Sequence, residues 1–268
     1  MTVEQLAANL QSLKDKNPLV HAITNYVTIN DCANILISIG ASPAMCESAD
    51  EAYEFSKISQ AIYLNIGSLT KEQEHAMLQA VKGAEGQNIP VILDPVGCAA
   101  IPRRVPFIEK LFAFGKITAI KGNLGEIKSL AGMAGQVKGV DSIDDGQGGI
   151  EACKKLARSW NTIIAATGAT DIITDGRTTY KVSNGSSMLT LVSGTGCMLG
   201  ALTAAFCGAS TTPLNACVSA HLAMGIAGER AANAQDGKLP GTFKVKLMDE
   251  IYQLRPEDLS QYAKIEID

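Results

Sequence analysis

The chain is poor in the groups that build metal clusters and covalent staples. It has three histidines, and none of its seven cysteines (Cys32, Cys46, Cys98, Cys153, Cys197, Cys207 and Cys217) forms a Cys-x-x-Cys pair. Zinc clusters need such spacing, and secreted disulfide frameworks pair an even number of thiols, so neither is expected. Reduced thiols suit the cytosol. Positive charge is also scarce: 23 Lys plus Arg stand against 27 Asp plus Glu, a net charge of −4. A nucleic-acid groove or an anionic-membrane anchor needs dense positive charge, so neither partner is expected. No apolar run approaches the roughly 18 residues of a membrane span. The opening Met1–Gln11 lacks the basic-then-apolar pattern of a secretory leader, and the expected location is cytoplasmic.

Several catalytic signatures are missing as well. There is no Gly-x-x-x-x-Gly-Lys-Ser/Thr phosphate loop, no Gly-x-Gly-x-x-Gly after the first strand and no Gly-x-Ser-x-Gly elbow. What is present is a large apolar fraction, 46%, with only 19% charged residues. A chain of 268 residues with that balance buries roughly 75% of its unfolded surface and needs no staple. No linker or repeat divides it, so residues 1–268 are expected to form one domain.

Apolar runs alternate with helical patterns. Ala61–Gly67, Pro90–Val96, Thr118–Asn123 and Thr162–Gly168 are continuously apolar, as in a parallel sheet covered on both faces. Helices are expected at Val3–Lys14, Ile29–Ile39, Thr70–Gln87, Pro102–Phe114, Asn123–Met133, Gly149–Trp160, Cys197–Gly208, Pro213–Ala234 and Phe243–Leu254. Asp175-Gly176 predicts a hairpin between Asp171–Thr174 and Thr178–Val182. The stretch Gln136–Gly149 reads as a loop. This order gives an α/β fold: a central mostly parallel sheet between two layers of helices.

Ligands of such sheets bind beyond the carboxyl ends of the strands. Asp94 ends one strand run and can hold water around magnesium, or serve only a turn. Asn123 and Glu126 have the spacing of a helix capping box. The same Glu126 can instead orient magnesium-bound water. Lys121, at that rim, suits a nucleotide phosphate or plain solvent, and Thr167-Gly168 suits a phosphate or a simple turn. The most specific segment is Ser193-Gly194-Thr195-Gly196-Cys197 before a small-residue helix. Two glycines let the backbone turn tightly, and the helix N-terminus offers free N–H groups to an anion. Gly194, Thr195 and Gly196 thus form a candidate anion hole for a migrating phosphoryl group, with Cys197 in the first helical turn. The other reading of Cys197 is a small core residue, as expected for Cys32, Cys153, Cys207 and Cys217. His75 is expected on a solvated helix, and His221 in a buried one.

Asp94-Pro95-Val96-Gly97, Lys121-Gly122-Asn123-Leu124-Gly125-Glu126 and Gly194-Thr195-Gly196-Cys197 together resemble the ribokinase-like superfamily. Within it, Val20-His21-Ala22-Ile23-Thr24-Asn25-Tyr26-Val27 and Ala41-Ser42-Pro43-Ala44-Met45 resemble the hydroxyethylthiazole kinase family. The resemblance runs from about Asn17 to Leu254. It implies the three-layer ribokinase-like fold. It implies ATP-dependent phosphorylation of 4-methyl-5-(2-hydroxyethyl)thiazole for thiamine salvage, with magnesium, in a homotrimer whose sites lie between subunits. Carried over by position, Met45, Gly194 and Asn25 border the thiazole. Lys121, Thr167 and Asn123 meet the nucleotide, and Asp94 and Glu126 organise magnesium through water.

Most of the superfamily places Asp, a general base, where this chain has Cys197. The cysteine matches the thiazole-kinase branch. Phosphoryl transfer has a loose transition state, so positioning and an anion hole carry most of the catalysis. Whether Cys197 takes the proton or only occupies the position stays open from sequence. The rivals are a sibling kinase of a pyrimidine or pyridoxal-type alcohol, a regulator that kept the fold without catalysis, and a thiol enzyme. Asp in place of Cys197 would favour the first. Intact Asp94, Glu126 and Gly194–Gly196 oppose the second, and the missing histidine partner opposes the third.

Overall fold

The computed structural model describes residues 2–132 and 147–268. The strands are β1 Leu19–Ile23, β2 Ser42–Ala44, β3 Ala61–Asn65, β4 Val91–Asp94, β5 Ala119–Asn123, β6 Ile163–Thr167, β7 Asp171–Thr174, β8 Thr179–Val182 and β9 Ile265–Ile267. Among the described residues they make one nine-stranded sheet in the order β2-β1-β3-β4-β5-β6-β7-β8-β9. Neighbours from β2 to β6 pair in parallel. The last three strands add antiparallel to that edge. The mostly parallel sheet expected from the apolar runs is therefore observed.

Side chains alternate across the sheet, as the period of two requires. Ala61 and Tyr63 of β3 join one apolar layer, while Ile62 and Leu64 join the other. The first layer is made by α1 Val3–Lys16, α2 Ile29–Ile39, α8 Thr195–Ala209, α9 Pro213–Asn233, α10 Pro240–Gln253 and α11 Pro256–Gln261. The second is made by α3 Ala49–Ile58, α4 Lys71–Ala84, α5 Arg104–Phe114, α6 Leu124–Leu130 and α7 Gln147–Trp160. Small strand residues, Ala22, Ala61, Ala119 and Ala165, face the first layer and let the Ala- and Gly-rich α8 approach closely.

Gly200 marks the tightest point of that approach. A Cβ there would fall 2.6 Å from Tyr63 Cε2 and 2.7 Å from its hydroxyl oxygen. Alanine would gain about 1 kcal/mol of helix propensity. Overpacking a rigid ring costs about 1–3 kcal/mol and should outweigh it. Gly200→Ala is therefore expected to lower the urea midpoint followed by circular dichroism. An unchanged or higher midpoint would show that the ring yields freely.

The Ile29–Ile39 helix is found with the expected bounds, and Gly40 ends it in the left-handed region at φ +100°. Several expectations are corrected. Helix α6 stops at Leu130, short of Met133, which lies outside the described residues. Of the expected loop Gln136–Gly149, residues 136–146 also lie outside them, and its last three residues already belong to α7. Helix α10 starts at Pro240 and not at Phe243, because proline fits a first helical turn that needs no N–H donor. Strands β1, β2 and β9 and helices α3 and α11 had no clear pattern. β2 is three residues long, contains Pro43 and sits at the sheet edge, where a missing N–H is tolerated.

Candidate active site

Three polar side chains lie at or near the carboxyl ends of parallel strands on the α8 face. Asn65 of β3 and Asp94 of β4 stand opposite each other in the register. Each follows by two residues an apolar neighbour of the α8 layer, Tyr63 and Ile92. Lys121 follows Ala119 in the same way on β5. All three are buried. Lys121 Nζ lies 3.3 Å from Asp94 Oδ2. The solvated-lysine reading is thereby overturned: Lys121 is an internal cation held by a carboxylate.

The start of α8 lies above this row. Gly194 caps the helix at φ +90°, and a Cβ there would fall 2.6 Å from Thr28 Cγ2. Glycine is needed on both counts. A Cβ on Gly196 would come within 3.2 Å of Lys121 Nζ, so the helix opens directly over the lysine. The first intrahelical bond runs from Met198 N–H to the Gly194 carbonyl, 2.8 Å. The N–H groups of Thr195, Gly196 and Cys197 precede it, in the position of an anion hole. The Thr195 hydroxyl donates back to the Leu189 carbonyl at 2.8 Å, so this residue offers its backbone and not its side chain. Cys197 Sγ accepts from Asn25 Nδ2 at 3.3 Å and from Asn65 Nδ2 at 3.2 Å. Cys32, Cys153, Cys207 and Cys217 are buried as expected, whereas Cys197 is partly accessible.

Glu126 is the helix cap that its spacing allowed, and it makes a further bond. Asn123 Oδ1 accepts from Glu126 N–H at 2.9 Å, and Glu126 Oε2 accepts from Asn123 N–H at 2.9 Å, which closes the capping box. Its other oxygen, Oε1, accepts from Gly97 N–H at 2.7 Å, tying α6 to the loop after β4. The charge of this buried carboxylate acts on Asp94. Burial, with a smaller push from the Glu126 charge, raises the Asp94 carboxyl to about 6 against the pull of the Lys121 ammonium. Burial is the strongest influence on Lys121 and opposes its charge, but Asp94, Cys197 and Glu126 together outweigh it and the lysine pKa rises. Two mutually repelling carboxylates with hard oxygen donors fit a magnesium ion, and the backbone N–H groups already bound to both Glu126 oxygens favour contact through water.

Other expected site residues lie on the rim. Thr167 pairs with Asn123 in the register, and its hydroxyl donates to the Gly122 carbonyl at 3.4 Å. Met45 is partly buried against the α8 layer. Its loop is fixed by a residue that sequence patterning did not single out. His21 of β1 holds the Cys46 carbonyl through Nε2 at 2.7 Å and meets Ser56 Oγ through Nδ1 at 2.9 Å. A carbonyl only accepts, so Nε2 carries the hydrogen and Nδ1 accepts from Ser56. His75 is solvated as expected. His221 is buried and lies 2.7 Å from Asp171 Oδ2.

Burial lowers the His21 pKa below its ordinary 6.5. The unfolded chain therefore binds a proton at a pH where the native chain does not, and stability rises with pH through that window. Acidification from pH 7 towards pH 5 is expected to lower the urea midpoint progressively below about pH 6.5. His21→Gln should flatten that part of the profile. An unchanged slope in the variant would assign the acid sensitivity elsewhere.

Asn65, Tyr63 and Arg104 are further site residues that the motifs missed. Arg104 is buried and donates to the Val96 carbonyl and, at 2.9 Å, to the Gly67 carbonyl, joining the loops after β4 and β3. Asn65 had a visible signal: like Asp94, it is a polar residue at the end of an apolar strand.

Sheet order, helix layers and this strand-end site define a ribokinase-like kinase fold. The structure of a Staphylococcus aureus pyridoxal kinase bound to ADP matches it at TM-score 0.63 and 16% identity, over 94% of this chain and 98% of that one. Closer likenesses go further. The sequence profile of the hydroxyethylthiazole kinase family matches residues 10–257. A hydroxyethylthiazole kinase of Desulfitobacterium hafniense is 56% identical over 92% of this chain and 93% of its own. That of Clostridium novyi is 52% identical over 98% of each. The solved structure of the Pyrococcus horikoshii enzyme matches at TM-score 0.90 with 37% identity, over 98% of this chain and 99% of that one. The chain belongs to the hydroxyethylthiazole kinase family.

Proposed function

We infer that the protein phosphorylates the hydroxyl of 4-methyl-5-(2-hydroxyethyl)thiazole with ATP, giving the thiazole phosphate used in thiamine salvage. Family membership supports the reaction. The observation that carries the mechanism is the convergence of Asp94, Glu126, Lys121 and the Gly194–Cys197 turn on one set of strand ends. In the reaction the alcohol oxygen forms a bond to the γ-phosphorus, the bond from that phosphorus to the β-phosphate oxygen breaks and releases ADP, and the hydroxyl proton passes by way of Cys197 to solvent. Magnesium, when bound, supplies charge neutralisation across the phosphates, and Asp94 and Glu126 would hold it through water.

The chain's own groups do the rest. Lys121 faces the transferred group from below, and the first N–H groups of α8 face it from the helix end. Thr167 and Asn123 border the nucleotide at the neighbouring strand ends. Met45, Asn25 and Gly194 border the thiazole. Cys197 Sγ stands where the hydroxyl proton departs. Tyr26 and Val27, directly after Asn25, are 56% and 75% exposed, an apolar rim that supports completion of the site by a neighbouring subunit. We read the assembly as a homotrimer, each chain a single kinase domain, in the cytoplasm. The continuous sheet from Leu19 to Ile267 supports the single domain.

The deciding experiment incubates the protein with ATP, magnesium and the thiazole alcohol and follows the product by mass spectrometry. A phosphate monoester of the alcohol is expected. Unchanged alcohol with folded protein would overturn the reading. Light scattering should give about three times the 28.2 kDa chain mass, and a fully active monomer would refute the shared site.

A further inference from the structure

Backbone donors fix the direction of every amide around Cys197. Thr28 N–H donates to Asn25 Oδ1 at 3.1 Å, so Asn25 turns its NH2 group the other way. That Nδ2 donates to Asn65 Oδ1 at 2.9 Å and to Cys197 Sγ at 3.3 Å. Gly67 N–H donates to the same Asn65 Oδ1 at 2.9 Å. Asn65 Nδ2 then donates to Cys197 Sγ at 3.2 Å and to the Tyr63 hydroxyl at 2.8 Å. Two bonds accepted and two donated use the full capacity of a carboxamide. A flip of Asn65 would set N–H against N–H at Asn25 and Gly67, so the orientation is determined. Tyr63, having accepted from Asn65, spends its own hydrogen on Asp94 Oδ2 at 3.1 Å.

We propose that Asn65 is a positioning residue for the phosphoryl transfer: it aims Cys197 Sγ at the acceptor hydroxyl and ties that sulfur through Tyr63 to Asp94. The proposal rests on the thiazole-kinase reading above. Among the described residues, both hydrogen-bond partners of Sγ are donors, so no hydrogen bond within the protein takes a hydrogen from the sulfur. Its remaining direction serves the bound alcohol. The thiol at the acceptor side and the carboxylate at the metal side are thereby set by one buried chain of bonds. Side-chain networks of this kind act as units, and paired substitutions reveal the coupling.

The alternative is a network that only stabilises the fold. Asn65→Asp separates the two. It keeps an oxygen for Asn25 and Gly67 and replaces the donor to Sγ by an acceptor. Asn65→Ser is the second variant, because it adds no charge beside Asp94. Both are made in the wild-type chain and in Cys197→Ala, and kcat and both KM values are measured with ATP and the thiazole alcohol. In the wild-type background kcat should fall about 30-fold or more, with the ATP KM within about 3-fold. In the Cys197→Ala background the same changes should cost less than about 3-fold, because the sulfur they aim is gone.

Equal losses in both backgrounds would overturn the proposal, as would wild-type kcat in a folded variant. If neither variant folds, Asn65 is a folding residue and the proposal falls. A wild-type protein without activity on the alcohol would instead overturn the underlying function. The wild-type arm shows that before any variant is compared.

Discussion

Replacement of Cys197 by alanine should leave substrate binding intact and reduce turnover by about 10²–10⁴-fold, the usual range for a lost general base. Alanine removes the sulfur but keeps the N–H groups of the α8 first turn, so the anion hole survives and the loss is partial. Cys197→Asp should fold and stay active, at or above the wild-type rate. Two amide donors, from Asn25 and Asn65, already converge on this atom. Donors of that kind bond more strongly to a carboxylate than to a neutral group. The helix N-terminus welcomes its charge. Turnover at saturating ATP and alcohol is the measurement. Wild-type turnover in the alanine variant would make Cys197 a packing residue. A folded but dead aspartate variant would show that the acceptor lies differently from that in the sibling kinases.

Asp94→Asn should be the other severe change. Asparagine can still accept from Tyr63 and Lys121 through its oxygen, so both hydrogen bonds on Oδ2 can persist. What disappears is the negative charge that offsets Lys121 and would hold magnesium. Loss of metal-assisted charge stabilisation is worth several kcal/mol. At about 3–5 kcal/mol this corresponds to roughly 10²–10⁴-fold in kcat. The requirement for magnesium should shift to higher concentration. Wild-type kcat and magnesium dependence in the folded variant would remove Asp94 from the metal role.

Glu126 shows how far a spacing argument reaches. Asn123 and Glu126 predict a capping box, and the box is present. Read only as a cap, Glu126 should tolerate glutamine, which closes such a box equally well. The structure adds the Gly97 N–H on the second oxygen, 29 residues away in sequence. A glutamine there would turn its NH2 group towards one of two backbone donors and leave a buried N–H unpaired, at a cost of about 1–3 kcal/mol. A local pattern cannot show a bond that a distant loop supplies.

Length, charge balance and the runs of buried strand residues determined the layered α/β fold. They do so because continuous apolar strands between amphipathic helices have few other ways to bury both faces. The glycines at 194 and 196 and the polar ends at Asp94, Lys121 and Glu126 marked the site, because strand ends and helix starts carry their chemistry locally. Short strands with polar members escaped. β1 carries His21, and β2 is an edge piece held by pairing that forms only once β1 is in place. Tertiary structure alone decided that Lys121 is buried against Asp94, and that Asn25, Asn65 and Cys197, up to 172 residues apart, meet at one sulfur. Hydrogen-bond direction depends on where neighbouring strands and helices stop in space, and no one-dimensional period encodes that.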